Sequence, residues 1–482
     1  MIRRAALLLV LAGLALPASA AGFAPTDPLA PKQWYLSQIR AFDFWPDVVP
    51  TLAPVRVAIV DSGIDRGHPE FAGRIVAARS FVGGDVTDRQ GHGTFVAGII
   101  AANTDNGEGI AGIALSAELL VAKVVRDDGT ISPFAEARAI RWAANRGARV
   151  INLSLGGLRS RNRAEDTYST IEQAAIDYAY AKGAVLVAAV GNGDQAPRAP
   201  WDLASYPAAL PHVIGVSAVA QDGSVPMFSN YDRFFNDLAA PGVGIVSTLP
   251  RALTAARPAC ADQGYSPCGP AEFRDAEGTS YAAAEVSAAA ALLIATRPSL
   301  RPDQVAALLE RSAADMTPTS GCRRCGQWRD PYSGWGELDV NAALAALGGA
   351  IPPPDRYEAN DDAGDRAFAL WGRSIDVTAS LDFWDDQIDV YKVKLLKGQT
   401  MAVSVRGVPD ALVDLVLWRP GTQRVEGLSP EVQARRLTQS VGRGPNEHLL
   451  HRARETGWYY LELKLPAPAS GQYRLHISKS RA

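Results

Sequence analysis

Three short segments bring together residue types that can turn a hydroxyl into a nucleophile. Asp61-Ser62-Gly63-Ile64-Asp65 supplies a carboxylate, Gly91-His92-Gly93-Thr94 an imidazole, and Gly278-Thr279-Ser280-Tyr281-Ala282 a hydroxyl. A serine attacks poorly unless an adjacent base takes its proton. A neutral imidazole is the suitable base near pH 7, and a buried carboxylate fixes its tautomer and stabilises the imidazolium that forms. Each segment alone reads as an ordinary turn or helix cap. Their joint presence, in the order Asp–His–Ser, is what points to chemistry. Of the six histidines only His92 has this setting. His68 reads as a turn or packing residue, His212 precedes a strand run, and His448, His451 and His476 fall in a β-rich region as surface or core residues.

The flanking sequence must position these groups. Near-continuous apolar runs at 55–60, 74–81, 119–125, 150–154, 185–190 and 213–219 suit strands buried on both faces. Between them, 134–146 and 170–181 carry apolar residues at helical spacing. This alternation predicts an α/β fold, a doubly wound, mainly parallel sheet, with ligands beyond the carboxyl ends of the strands. Asp61 directly follows the first run. Ser280 opens the Ala-rich stretch 282–295, which reads as a buried helix; its unpaired N-terminal N–H groups would face the reaction centre. Past the Ala/Ile/Pro stretch 350–354 the pattern changes. Runs at 389–395, 400–405, 413–418, 458–463 and 473–477 lack helical period and predict a smaller all-β sandwich or jelly roll.

A chain of 482 residues is long for one domain, and 47 % apolar with 21 % charged residues is a normal globular balance. A net charge of −3 points to neither nucleic acid nor an anionic membrane as partner. Arg3 and Arg4, an apolar run over 5–16 and Ala18-Ser19-Ala20 form the pattern of a cleaved secretory signal over 1–20. No later stretch reaches 18 uninterrupted apolar residues, so no membrane span is expected. Export makes disulfides the default for Cys260, Cys268, Cys322 and Cys325. The local pairs 260–268 and 322–325 are the simplest of three connectivities. The Cys322-x-x-Cys325 spacing alone would also suit redox or zinc chemistry, but neither a second such pair nor a nearby histidine completes a zinc site.

With these motifs in place the chain resembles the subtilase (subtilisin) family. The likeness covers about residues 26–347. It rests on the three segments above together with Asn152-Leu153-Ser154-Leu155-Gly156-Gly157, Ala189-Val190-Gly191-Asn192, Tyr206-Pro207-Ala208 and Asp237-Leu238-Ala239-Ala240-Pro241-Gly242. The resemblance implies a secreted serine endopeptidase acting on proteins or peptides through an acyl-enzyme on Ser280. It gives His92 as base, Asp61 as its orienting carboxylate and Asn192 as oxyanion donor. It further implies that Ser154, Leu155 and Gly156 pair with substrate backbone, and that Ala189, Gly191 and Ser205 wall the specificity pocket. No cofactor is required for catalysis. A structural calcium is implied at Glu70, Asp105 and Asn106, and a monomer is expected. The C-terminal region resembles the bacterial pre-peptidase C-terminal domain, on the segments 355–361 and 386–393. The expected organisation is therefore a signal over 1–20, a peptidase domain over 21–348, a linker over 349–356 and a β-sandwich over 357–482.

Some positions depart from the family's pattern. Tyr281 stands where Met is usual, Ala284 where Pro is usual and Glu285 where His is common. These departures keep open a non-catalytic binding protein on a decayed protease scaffold, and a processing protease of narrow specificity. The segment 27–34 already resembles a mature start, so no propeptide domain is expected.

Overall fold

Seven strands form one sheet: Val55–Asp61 (β1), Ile75–Ser80 (β2), Ala117–Lys123 (β3), Val150–Leu153 (β4), Val185–Ala189 (β5), Val213–Val219 (β6) and Leu238–Pro241 (β7). Their order is β2-β3-β1-β4-β5-β6-β7, and every neighbouring pair is parallel. The computed structural model describes residues 22–193, 198–254, 272–349 and 355–481, apart from 359, 361, 384, 385, 409, 410, 426–429, 443 and 468. Both faces of the sheet are covered. Among the described residues, seven α-helices belong to this part of the chain: Trp34–Gln38 (α1), His92–Ala101 (α2), Pro133–Asn145 (α3), Thr170–Ala181 (α4), Thr279–Thr296 (α5), Pro302–Ser312 (α6) and Val340–Ala346 (α7). Successive residues of β1 alternate between the two cores, as strand geometry demands. Val57 and Ile59 belong to the core on the α2 and α5 side, whereas Ala58 and Val60 belong to the core on the α3 side.

Helix α5 explains the Ala-rich stretch. It is long and apolar enough to cross a membrane, yet 94 % of it is buried within the fold. It is therefore the central helix behind the sheet, and its small residues let it lie close to the strands. The absence of any uninterrupted apolar run had pointed away from a spanning segment; the helix passes that test by average hydropathy, and its burial accounts for it.

A short antiparallel pair, Ile245–Thr248 (β8) and Phe273–Ala276 (β9), leads into α5. The C-terminal part adds nine strands: Phe368–Leu370 (β10), Ser374–Asp382 (β11), Ile388–Leu395 (β12), Thr400–Arg406 (β13), Asp414–Trp418 (β14), Arg436–Val441 (β15), Asn446–Arg452 (β16), Gly457–Lys464 (β17) and Ser470–Lys479 (β18). They form a five-stranded sheet, β10-β12-β17-β14-β15, and a four-stranded sheet, β11-β18-β13-β16. In β11, Ile375, Val377, Ala379 and Leu381 alternate inward between more exposed neighbours, the period-2 pattern of a half-buried strand. The expected signal segment, the Cys260–Cys268 pair and most of the 349–356 linker lie outside the described residues. Cys322 and Cys325 are bonded to each other, with Cα atoms 5.4 Å apart.

Candidate active site

The carboxyl end of β1 delivers Asp61, which is buried. His92 opens α2, and its Nδ1 lies 2.8 and 3.0 Å from the two Asp61 carboxylate oxygens. The Ser62 N–H donates to Asp61 Oδ1 at 2.7 Å. Burial alone would disfavour a charged imidazole at His92. The Asp61 charge and hydrogen bond, with a smaller contribution from Asp88, outweigh it and raise the His92 pKa above its ordinary value. An imidazole so placed keeps Nδ1 toward the carboxylate, which would leave Nε2 able to accept a proton.

Asp88 is a residue that sequence reasoning missed. Its Oδ1 accepts from the Gly91 N–H and the Ser62 hydroxyl, both at 2.8 Å. Its Oδ2 accepts from the Thr94 N–H at 2.8 Å and the Thr94 hydroxyl at 2.7 Å. The Gly93 N–H in turn donates to Ser62 Oγ at 2.9 Å. One buried carboxylate thus caps α2 and locks it to the Asp61 loop, which sets the angle of the His92 side chain. Local spacing gave no signal for it, because Gly91 occupies the N-cap and Asp88 lies six residues before the Thr94 N–H it accepts from.

Ser280 sits in the first turn of α5 and its side chain is nearly buried. Its Oγ donates to the Ser154 carbonyl at 3.1 Å, and not to His92. The Ser154 hydroxyl donates to the Ser280 carbonyl at 2.7 Å, and accepts from Asn152 Nδ2 at 2.9 Å. The Ser287 hydroxyl donates to Asn152 Oδ1 at 2.8 Å. A buried polar chain therefore ties helix α5 to the end of β4. Ser154 acts here as a brace through its side chain, beyond the backbone role expected of it.

Asn192 follows β5. Its Oδ1 accepts from the Thr279 N–H at 2.9 Å and the Thr279 hydroxyl at 2.8 Å. With the oxygen occupied, the amide Nδ2 is the end left for the cleft that Asn192 lines. The Ser280 N–H has no acceptor within its own helix. Two donors are thus available beside the serine hydroxyl.

The same cleft is lined by Asp61, His92, Ser154, Leu155, Gly156, Ala189, Gly191, Asn192, Ser205 and Ser280. All four catalytic candidates and all six substrate-pocket candidates therefore come together. Gly191 has φ +101°, and a Cβ there would meet Ser205 Oγ at 2.4 Å; only glycine fits. The cleft also takes Val125, Gly129 and Ile131 on its opposite wall, where Val125 and Ile131 form an antiparallel bridge. These three were not anticipated, since a short polar turn carries no motif.

Tyr281, Ala284 and Glu285 are all fully buried and none lines the cleft. The Tyr281 ring packs against Phe95, with centroids 4.4 Å apart, and against His92 at 5.8 Å. It fills the space beneath the imidazole. Burial first, and the Glu337 charge second, push the Glu285 carboxyl well above its usual range.

The three calcium candidates are only partly convergent. Asp105 Oδ1 is taken by the Thr26 N–H and hydroxyl at 3.1 and 2.8 Å, and Asn106 Oδ1 by the Glu108 N–H at 2.8 Å. Glu70 Oε1 accepts from the Ile110 N–H at 3.0 Å, while its Oε2 is buried without a hydrogen-bond partner. Asp27, unanticipated, accepts from the backbone N–H groups of Asp105 and Asn106. Burial, with the nearby charges of Asp27 and Glu108, pushes Glu70 up to about 7.

A family model described as the subtilase family matches residues 53–335. Thermitase of Thermoactinomyces vulgaris is 39 % identical over 232 residues, 47 % of this chain and 77 % of that protein. Subtilisin DY of Bacillus licheniformis is 34 % identical over 293 residues, 60 % of this chain and 91 % of that protein. Among solved structures, a protease from Pseudoalteromonas arctica PAMC 21717 superposes with a TM-score of 0.53 at 27 % identity, covering 67 % of this chain and 99 % of the other.

Proposed function

The chain belongs to the subtilase family and is a subtilisin-type serine endopeptidase, and from that premise we propose that Asp61, His92 and Ser280 form its catalytic triad, with Asn192 and the Ser280 N–H as the oxyanion hole. Rotation about the Ser280 Cα–Cβ bond moves Oγ from the Ser154 carbonyl toward His92 Nε2. His92 takes the hydroxyl proton as Oγ attacks the scissile carbonyl. Asp61 stabilises the imidazolium, and Asn192 Nδ2 and the Ser280 N–H receive the developing oxyanion. Collapse breaks the C–N bond, and His92 returns the proton to the leaving amine. Water, deprotonated by the same imidazole, then releases the acyl group. No cofactor is needed for these steps, and one chain carries every group they use, so a monomer suffices.

The observation that carries this reading is the pairing of His92 with a buried Asp61 beside an Asn192 whose oxygen is already engaged. A fluorophosphonate probe tests it. The folded wild-type chain should label, and Ser280→Ala should not. A folded wild-type chain that resists the probe would sink the assignment.

Segment 154–156 and the 125–131 wall flank an extended substrate, whose backbone adds as a strand between them. The N-terminal pattern over 1–20 supports export, and an extracellular or cell-envelope site of action. We read Glu70 and Asp27 as the carboxylates of a structural cation site. A buried carboxylate oxygen without a donor, next to two more acidic groups, suits a hard cation such as calcium. Gly109 closes the site tightly, since a Cβ there would meet Glu70 Oε1 at 1.7 Å. The two C-terminal sheets support the reading of that region as a β-sandwich appended to a secreted protease.

A further inference from the structure

A second groove lies between the outer strand β2 and helix α3, away from the catalytic cleft. Its lining includes five arginines, Arg56, Arg79, Arg138, Arg141 and Arg146, and no carboxylate among the described residues. Only Arg56 has an acidic partner, Glu118 at 3.3 Å, and Arg56 also donates to the Arg146 carbonyl at the end of α3. Arg141 donates to the Ala174 carbonyl and stacks on Tyr178. The guanidinium carbons of Arg79 and Arg138 lie 5.1 and 5.7 Å from the centre of the same Phe81 ring, and that of Arg146 lies 5.2 Å from Trp142. Arg79, Arg138 and Arg146 are exposed and have no ion-pair partner among the described residues.

This arrangement is unusual for a chain whose net charge is −3. Two cations drawn to one ring repel each other unless an anion sits between them. Stacking also orders each guanidinium plane in advance, so less entropy is lost when it takes a carboxylate in fork geometry. The neighbouring strand supplies the second half of a recognition surface. Among the described residues β2 pairs only with β3, so its outer edge is open to another strand. Leu120 of β3 floors the groove, and Val125, five residues further along the chain, lines the catalytic cleft. At the rise of a strand that separation is roughly 16 Å.

We propose that the β2–α3 groove is an exosite for acidic segments of protein substrates. It pairs their carboxylates with Arg79, Arg138 and Arg146 and their backbone with the β2 edge, while another part of the same substrate occupies the cleft. The inference rests on the endopeptidase activity. A peptide fits better than a nucleic acid because the open strand edge offers main-chain hydrogen bonds.

The direct test is fluorescence anisotropy of a labelled oligoglutamate peptide with the Ser280→Ala protein, which cannot degrade it. Binding should weaken at high ionic strength. It should weaken by about tenfold or more in the triple variant Arg79→Ala, Arg138→Ala, Arg146→Ala, since each lost charge-assisted contact is substantial. The triple lysine variant, which keeps the charge but not the fork, should fall between the two. In the active enzyme, kcat/KM for a substrate carrying an acidic tail should exceed that of its untailed twin, through KM, and the triple alanine variant should erase the difference. Hydrolysis of a short untailed peptide should be unchanged by those substitutions, so its loss would bear on the protease reading and not on the exosite. Equal binding by wild type and triple variant would overturn the proposal. So would binding of duplex DNA or a sulfated glycan without binding of oligoglutamate.

Discussion

At the residue scale, catalysis depends on groups whose partners are as specific as themselves. Asn192, the proposed oxyanion donor, shows this best. A side-chain amide can present either its oxygen or its nitrogen, and Thr279 settles which by giving Oδ1 two donors. Asn192→Ala should therefore lower kcat by about 10²–10³ with little change in KM, because the lost bond forms only as the oxyanion develops. Steady-state kinetics on a peptide substrate would check it; a change confined to KM would remove Asn192 from the oxyanion hole. That Asp61, His92, Ser280 and Asn192 meet at one cleft was legible in the sequence, because each sits in a short motif with its own local reason. Asp88 and Thr279 were not, because their roles are to hold other residues. Such roles depend on distances across the fold, as between Asp88 and Ser62, 26 residues apart. Asp105, a candidate ligand by type, has one carboxylate oxygen, Oδ1, accepting from the N–H and hydroxyl of Thr26, 79 residues away.

At the element scale, the strand–helix alternation was readable almost throughout, since buried parallel strands announce themselves as apolar runs. The short edge strand β7 was not, because four residues ending in proline carry no period. Neither was the polar alternation of β16. What sequence could not convey was how the helices meet. Glu136 and Glu172 lie in the first turns of α3 and α4 and are both buried where those helices pack. Burial, then the charge of Glu172, drives the Glu136 carboxyl well above its usual range, and burial raises Glu172. Two buried carboxylates this close would repel each other, so we expect the pair to share a proton. Groups raised in the folded state contribute stability that is fully present below their unfolded pKa, near 4.5. That stability is lost as pH rises through the folded values. Glu136→Gln replaces the proton by an amide and should flatten the fall. In a Ser280→Ala background, urea unfolding should show the variant gaining about 1–3 kcal/mol over its parent at pH 8, the scale of an unsatisfied buried polar group. Near pH 4 the gain should vanish. A difference independent of pH would show that the two carboxyls do not share a proton.

At the scale of the whole molecule, the C-terminal sheets are docked on the peptidase part. The Trp335 and Phe383 rings meet edge to face with centroids 4.8 Å apart, and both are largely buried. Ion pairs between Arg311 and Asp382, and between Arg366 and Asp177, flank the same junction. In the sequence, strand–helix alternation gives way to β-only runs near residues 350–354, but composition carries no information on whether the parts on either side touch. The Arg366–Asp177 pair is partly exposed and contributes little, so the aromatic contact, with Arg311 held by the buried Asp382, should carry most of the docking. Removing it by Phe383→Ala leaves Trp335 without its partner and opens a cavity, which for a buried phenylalanine costs about 3–5 kcal/mol. If Phe383 couples the two parts, calorimetry of the Ser280→Ala chain should give a single transition. Adding Phe383→Ala should split it in two, with the C-terminal sheets melting first and the peptidase transition moving least. A variant that melts in one unshifted step would mean that the junction transmits no stability. The C-terminal sheets would then be carried by the peptidase without supporting it.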